Sequence, residues 1–142
     1  MITSKGKILI AEEDKNVAFR IKDFLVKEGY EITSVVYTGI EAITKAEYDN
    51  PDLILMDVHL NSSLTGVEAA EIILYKKNIP IIFLADANNL ALLKEYSKAA
   101  SNEFVLKPID FYVLLNSIEK NLLGYAYQTK YFNANLNSSM TF

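Results

Sequence analysis

The sequence predicts an α/β domain: a doubly wound, five-stranded parallel sheet in the order 2-1-3-4-5, with five helices in a three-layer α/β/α arrangement. Short runs rich in Ile, Val, Leu or Phe at 7–11, 31–36, 52–57, 80–85 and 103–106 read as strands covered on both faces. Longer stretches at helical spacing separate them, and strict alternation of the two implies right-handed crossovers. Charge then marks the ends. Glu12-Glu13-Asp14 follows the first run, Asp57 ends the third, and Lys107-Pro108 follows the last. In open doubly wound sheets, ligands bind beyond the carboxyl ends of the strands, where the strand order reverses.

Taken in order, the first strand is carried by Ile8-Leu9-Ile10-Ala11. Val17, Ile21, Phe24 and Leu25 fall on one face of a helix over 15–28, and Gly29 supplies its stop. The second strand, 31–36, leads to a weaker helical pattern over 39–47. Leu53-Ile54-Leu55-Met56 makes the third strand, followed by weaker helical patterns over 66–77 and, after the fourth strand, over 89–99. Phe111, Leu114, Leu115, Ile118 and Leu122 line one face of the last helix, 110–123, with Asp110 as its N-cap and Gly124 as its C-cap. In this strand order the first and third strands are neighbours, so the carboxylates at their ends converge.

At 142 residues there is room for one compact domain, expected over 1–124. Residues 125–142 break the pattern. Asn133, Asn135 and Asn137 alternate with small residues, while Tyr125, Tyr127, Tyr131 and Phe132 are costly to leave in water, so this is a tail or linker that extends the last helix or docks on a partner. With 51% hydrophobic and 23% charged residues, the composition is that of a folded chain. A net charge of -4 lacks the basic footprint of nucleic-acid binding. Cysteine is absent, which removes a disulfide frame and thiolate zinc. The N-terminus lacks the apolar stretch of a signal peptide and no segment approaches the length of a membrane span, which together suit a cytoplasmic protein. A nucleotide site is disfavoured too, because the first strand-to-helix turn has acids where a Gly-rich loop would cradle a diphosphate.

Three segments together resemble the receiver domain of two-component response regulators, a flavodoxin-like fold: Ile8 to Asp14, Pro51 to Asp57 with Gly66 beyond it, and Phe104-Val105-Leu106-Lys107-Pro108. Ile79 to Leu84 completes the ordered set, and the resemblance spans roughly residues 6–123. It implies phosphorylation of Asp57 by a sensor histidine kinase or phosphotransfer protein. It further implies Mg²⁺ held by Glu13, Asp57 and the main-chain carbonyl of His59, with Glu12 acting through water. Lys107 would pair with the phosphoryl oxygens, and the Lys107-Pro108 bond would be cis, as only X-Pro bonds readily are. The side chain of His59 is expected to be a solvated neighbour. A homodimer through the face of strands four and five and the last helices is also implied, with Leu92, Tyr96, Phe111 and Tyr112 as candidate residues.

The chain departs from the family pattern at defined places. Glu12 and Glu13 stand where aspartates are usual, each adding a methylene in a site where Mg²⁺ demands tight octahedral geometry. Ala85 replaces the Thr or Ser whose hydroxyl reports phosphorylation, and Phe104 sits where an aromatic ring normally follows that hydroxyl. Asn61 and Gly66 suggest one inserted residue in the loop after Asp57. Three readings stay open: a phosphoacceptor receiver, a pseudo-receiver that binds partners without switching, and an aspartate-nucleophile phosphohydrolase. The last ranks lowest, since it needs a second Asp two residues after the nucleophile, where this chain has His59. An enzyme is therefore not expected. Each site residue also has a plainer reading: Asp57 as a solvated strand end, Lys107-Pro108 as a turn, and the acids as caps for the following helix.

Overall fold

The structure, a computed structural model, describes residues 3–60, 63–89, 91 and 103–124. Five parallel strands, β1 (Lys7–Ala11), β2 (Glu31–Val36), β3 (Leu53–Asp57), β4 (Ile81–Ala85) and β5 (Phe104–Leu106), lie in the order β2-β1-β3-β4-β5. Both β3 and β4 are buried at every position, as their unbroken apolar sequences require. The alternation of strand side chains divides the core into two layers. Leu9, Ile54, Met56, Ile81 and Phe83 point to one side, while Ile8, Ile10, Leu53, Leu55, Ile82 and Leu84 point to the other.

Helices α2 (Gly39–Asp49) and α3 (Gly66–Lys76) cover the first layer through Ala42, Ala46, Ala69, Ala70 and Ile73. The second layer is covered by α1 (Lys15–Lys27), with Ala18, Ile21 and Leu25, and by α4 (111–124), with Leu114 and Ile118. Local chemistry sets their ends. Asp14 accepts from the Asn16 and Val17 amides at the start of α1, and Asp110 accepts from those of Tyr112 and Val113 at the start of α4. Thr65 and Glu68 form a reciprocal capping box on α3. At the end of α1, Gly29 adopts φ 101°, and the Gly29 and Tyr30 amides turn back to the Val26 and Leu25 carbonyls. A side chain there would be strained, so glycine terminates this helix.

Four of the five expected helices are among the described residues. The 89–99 helix falls outside them except for Asn89 and Ala91, and Asn89 closes a 3₁₀ turn, Ala87–Asn89, capped by Asp86. Gly124 does not act as the cap of α4, because it is itself helical, and the expected tail, 125–142, lies outside the described residues. Of the residues expected on a dimer face, Leu92 and Tyr96 are also outside them. Phe111 is turned the other way, half-buried with its ring 5.0 Å from that of Phe24 on α1. Its helical position places it on the core stripe, whereas the adjacent Tyr112 is 73% exposed.

Gly66 joins fold to site. Its amide donates to Val58 O at 2.9 Å, and a Cβ at this position would lie 1.8 Å from the Asp57 carbonyl oxygen. The first turn of α3 therefore packs directly on the backbone that carries Asp57. Gly66→Ala should destabilise the protein by about 3 kcal/mol, the upper end for overpacking, because the obstacle is backbone. Urea unfolding measures this; a loss below about 0.5 kcal/mol would mean that the contact is not tight.

Candidate functional site

The carboxyl ends of β1, β3 and β5 bring Glu12, Asp57 and Lys107 together. Lys107 Nζ lies 2.8 Å from Glu12 Oε1 and 3.1 Å from Asp57 Oδ2. Its backbone is anchored as well, the Lys107 amide donating to Ala85 O at 2.8 Å, and the Lys107-Pro108 bond is cis. Asp57 is 2% exposed and is oriented by main-chain donors: His59 N–H to Oδ1 at 3.0 Å and Glu13 N–H to Oδ2 at 3.4 Å. Glu12 is fully buried. Its Oε2 accepts the Asp14 amide at 3.2 Å, while Oε1 accepts no well-formed hydrogen bond and meets Lys107 only as an ion pair.

One lysine between two buried carboxylates cannot neutralise both. Burial, reinforced by the adjacent Asp57, raises the Glu12 pKa to about 7 against the opposing pull of Lys107. Desolvation tends to lower the Lys107 pKa, but Glu12 and Asp57 together raise it above the ordinary lysine value. Glu12 therefore keeps its proton to a higher pH than an ordinary glutamate.

The acidic run does three different things. Glu12 is buried beside Lys107, Asp14 caps α1, and Glu13 reaches across the cleft to His59, with Oε2 2.8 Å from Nδ1. The His59 side chain is indeed exposed, at 69%, but it is hydrogen-bonded rather than merely solvated, and Glu13 raises its pKa. Asp86, just past β4, completes a cleft of about 370 Å³ lined by Glu12, Glu13, Asp14, Asp57, His59, Asp86 and Lys107. Sequence reasoning missed Asp86, although it follows a strand end like the others. A larger hollow of about 580 Å³ lies at the opposite end of the sheet. Its polar lining is already engaged: Lys77 Nζ donates to Ala46 O at 2.7 Å, and Asp52 accepts the Lys7 amide at 2.8 Å.

Ala85 is fully buried at the end of β4 with no hydroxyl to offer the cleft, and Phe104 on β5 is 43% exposed. The donors suit a hard cation, being carboxylate and carbonyl oxygens, although Glu12 Oε1 already meets the Lys107 ammonium at 2.8 Å. Among the described residues, however, no three carboxylate or imidazole groups are gathered as a metal cage. Lys107 lies between Glu12 and Asp57, and Glu13 is turned to His59.

Comparisons with known proteins identify the family and the fold. The model of the response regulator receiver domain family matches residues 8–119. The transcriptional regulatory proteins PdtaR of Mycobacterium tuberculosis and ResD of Bacillus subtilis are each 32% identical, over 80% and 94% of this chain. This chain spans about half of their length, 55% and 54%. The chemotaxis protein CheY of Bacillus subtilis is 28% identical, with 82% of this chain matched to 97% of it. Among solved structures, the receiver domain of a modulated diguanylate cyclase from Desulfovibrio desulfuricans superposes with a TM-score of 0.80 at 27% identity, covering 87% of this chain and 98% of that one. Fold and carboxyl-end cleft thus define a signalling module of the two-component class. The chain belongs to the response regulator receiver domain family. Among the described residues no helix is long and apolar enough to cross a membrane.

The charge imbalance has a pH signature. A carboxyl group whose pKa is raised in the folded state binds its proton more tightly there than in the unfolded chain, so its ionisation opposes folding. Stability should therefore fall as pH rises from about 4.5 to about 7, and Glu12→Gln should flatten that decline in urea titrations. A smaller decline above the usual histidine pKa should survive the substitution, because His59 is also raised but largely exposed. Equal slopes in wild type and variant would contradict this charge assignment.

Proposed function

We propose that this chain is a phosphate-accepting receiver. On this reading Asp57 takes a phosphoryl group from a histidine kinase or phosphotransfer protein and signals through protein contacts. The observation that carries it is Lys107 Nζ at 3.1 Å from a buried Asp57 that two main-chain amides hold in place. In the transfer, an Asp57 carboxylate oxygen forms a bond to phosphorus as the phosphorus–nitrogen bond to the donor imidazole breaks, and the imidazole leaves with a proton. Lys107 supplies a compact positive charge to the phosphoryl oxygens. The His59 and Glu13 amides restrict Asp57 to one orientation, so that attack begins from a fixed geometry. Glu13, Asp57 and the His59 carbonyl would hold Mg²⁺, with Glu12 acting through water. When bound, the ion would supply charge neutralisation between carboxylate and phosphoryl oxygens.

Incubation with Mg²⁺ and acetyl phosphate should add one phosphoryl group by intact-protein mass spectrometry, with none added to Asp57→Ala. Lys107→Ala should slow labelling by about 100-fold, the usual scale for loss of one charged stabiliser. Absence of any adduct under conditions that label an ordinary receiver would refute the proposal.

A pseudo-receiver is the second reading, favoured by the buried Ala85 at the end of β4 and the outward Phe104. With no hydroxyl at Ala85, phosphorylation would have no polar group on β4 to draw inward. On that reading Asp57→Asn leaves the affinity for the partner protein unchanged in titration calorimetry, whereas the phosphoacceptor reading expects phosphodonor treatment to alter the affinity of the wild type but not of the variant.

A further inference from the structure

We infer that the His59 side chain is a positioning residue that holds Glu13 out of the cation site, so that a divalent ion must compete with the imidazole for this carboxylate. The inference rests on the proposed Mg²⁺ reading of the cleft. His59 touches the site twice by separate routes. Its backbone amide donates to Asp57 Oδ1 at 3.0 Å, which fixes where residue 59 stands relative to the phosphoacceptor. Its ring then spans to the opposite strand end, Nδ1 lying 2.8 Å from Glu13 Oε2. A carboxylate only accepts, so Nδ1 carries the proton of this hydrogen bond.

The longer side chain of Glu13 is what allows the bridge. An aspartate in its place would be one methylene shorter and would stop short of the imidazole. Glu12 cannot compensate when Glu13 is held, since it is buried and paired with Lys107. The clasp therefore removes one oxygen donor from a site that has few, consistent with the lack of a gathered metal cage among the described residues. Because ring and carboxylate are both partly exposed, the clasp is weak enough for an ion to open.

Titration calorimetry with MgCl₂ on the full chain at fixed pH tests this. His59→Ala should bind Mg²⁺ roughly three- to fivefold more tightly than wild type, the effect expected on removing one competing surface ion pair. The urea midpoint without Mg²⁺ should fall only by the equivalent of that same factor, since the clasp is lost from the free protein; a larger fall, with no gain in affinity, would mark a merely structural role. In a Glu13→Gln background the same substitution should change the affinity by less than about 1.5-fold, because the imidazole acts through that carboxylate. Equal affinity in wild type and His59→Ala, or an equal gain in the Glu13→Gln background, would overturn the clasp while leaving the cation site intact. Failure of both wild type and His59→Ala to bind Mg²⁺ would overturn the clasp and the cation reading together. Labelling of Asp57 by phosphodonor, measured separately, tells that outcome apart from failure of the phosphoacceptor reading.

Discussion

A single ammonium group set between two buried carboxylates is the interaction on which the arrangement of this protein depends. Lys107 arrives from β5, Glu12 from β1 and Asp57 from β3, and the ammonium is what offsets the burial and mutual repulsion of the two carboxyl groups. The sheet order makes the meeting possible, because β3 lies between β1 and β4 and places Asp57 in the middle of the row. The two apolar layers then hold the strand ends in register from both sides. The charged cluster thus sits at the very ends of rigid strands, Asp57 within β3 and Glu12 and Lys107 one residue past β1 and β5, as preorganised chemistry requires.

The glutamate pair changes the character of this cluster. Both residues are one methylene longer than aspartate, and they use the extra length differently. Glu12 stays under Lys107 in the interior, where burial favours its protonated form. Glu13 extends over the surface of the cleft to His59. Loss of a hydroxyl at Ala85 leaves β4 with an apolar end beside this polar site, and Asp86 directs its carboxylate to the amides of the 3₁₀ turn.

Most of the fold was legible because the strands are nearly pure apolar runs. Ile8 to Ala11 and Leu53 to Met56 could not be mistaken for amphipathic surface helices, and Asp14, Asp110 and Gly29 marked helix ends by ordinary capping chemistry. Gly124 was misread because a glycine can continue a helix when nothing forces a left-handed turn there. At the site, the convergence of Glu12, Asp57 and Lys107 followed from the strand order, since each lies at a carboxyl end. What sequence could not show was how side chains divide the available partners. The runs gave no sign that Glu13 would choose His59 rather than the cleft interior, because such choices depend on distances across elements far apart in the chain.

The close contact at Gly66 bears on how such a site tolerates variation. Its hydrogen bond to Val58 and its position against the Asp57 carbonyl pin both ends of the connecting segment into a closed hoop. The length of a hoop can change without moving its clasp, and closing a slightly longer one costs little entropy. The extra residue suggested between Asp57 and Gly66 therefore need not move Asp57 from where β3 puts it. A single glycine thus separates variation in the length of this connection from the placement of the Asp57 backbone.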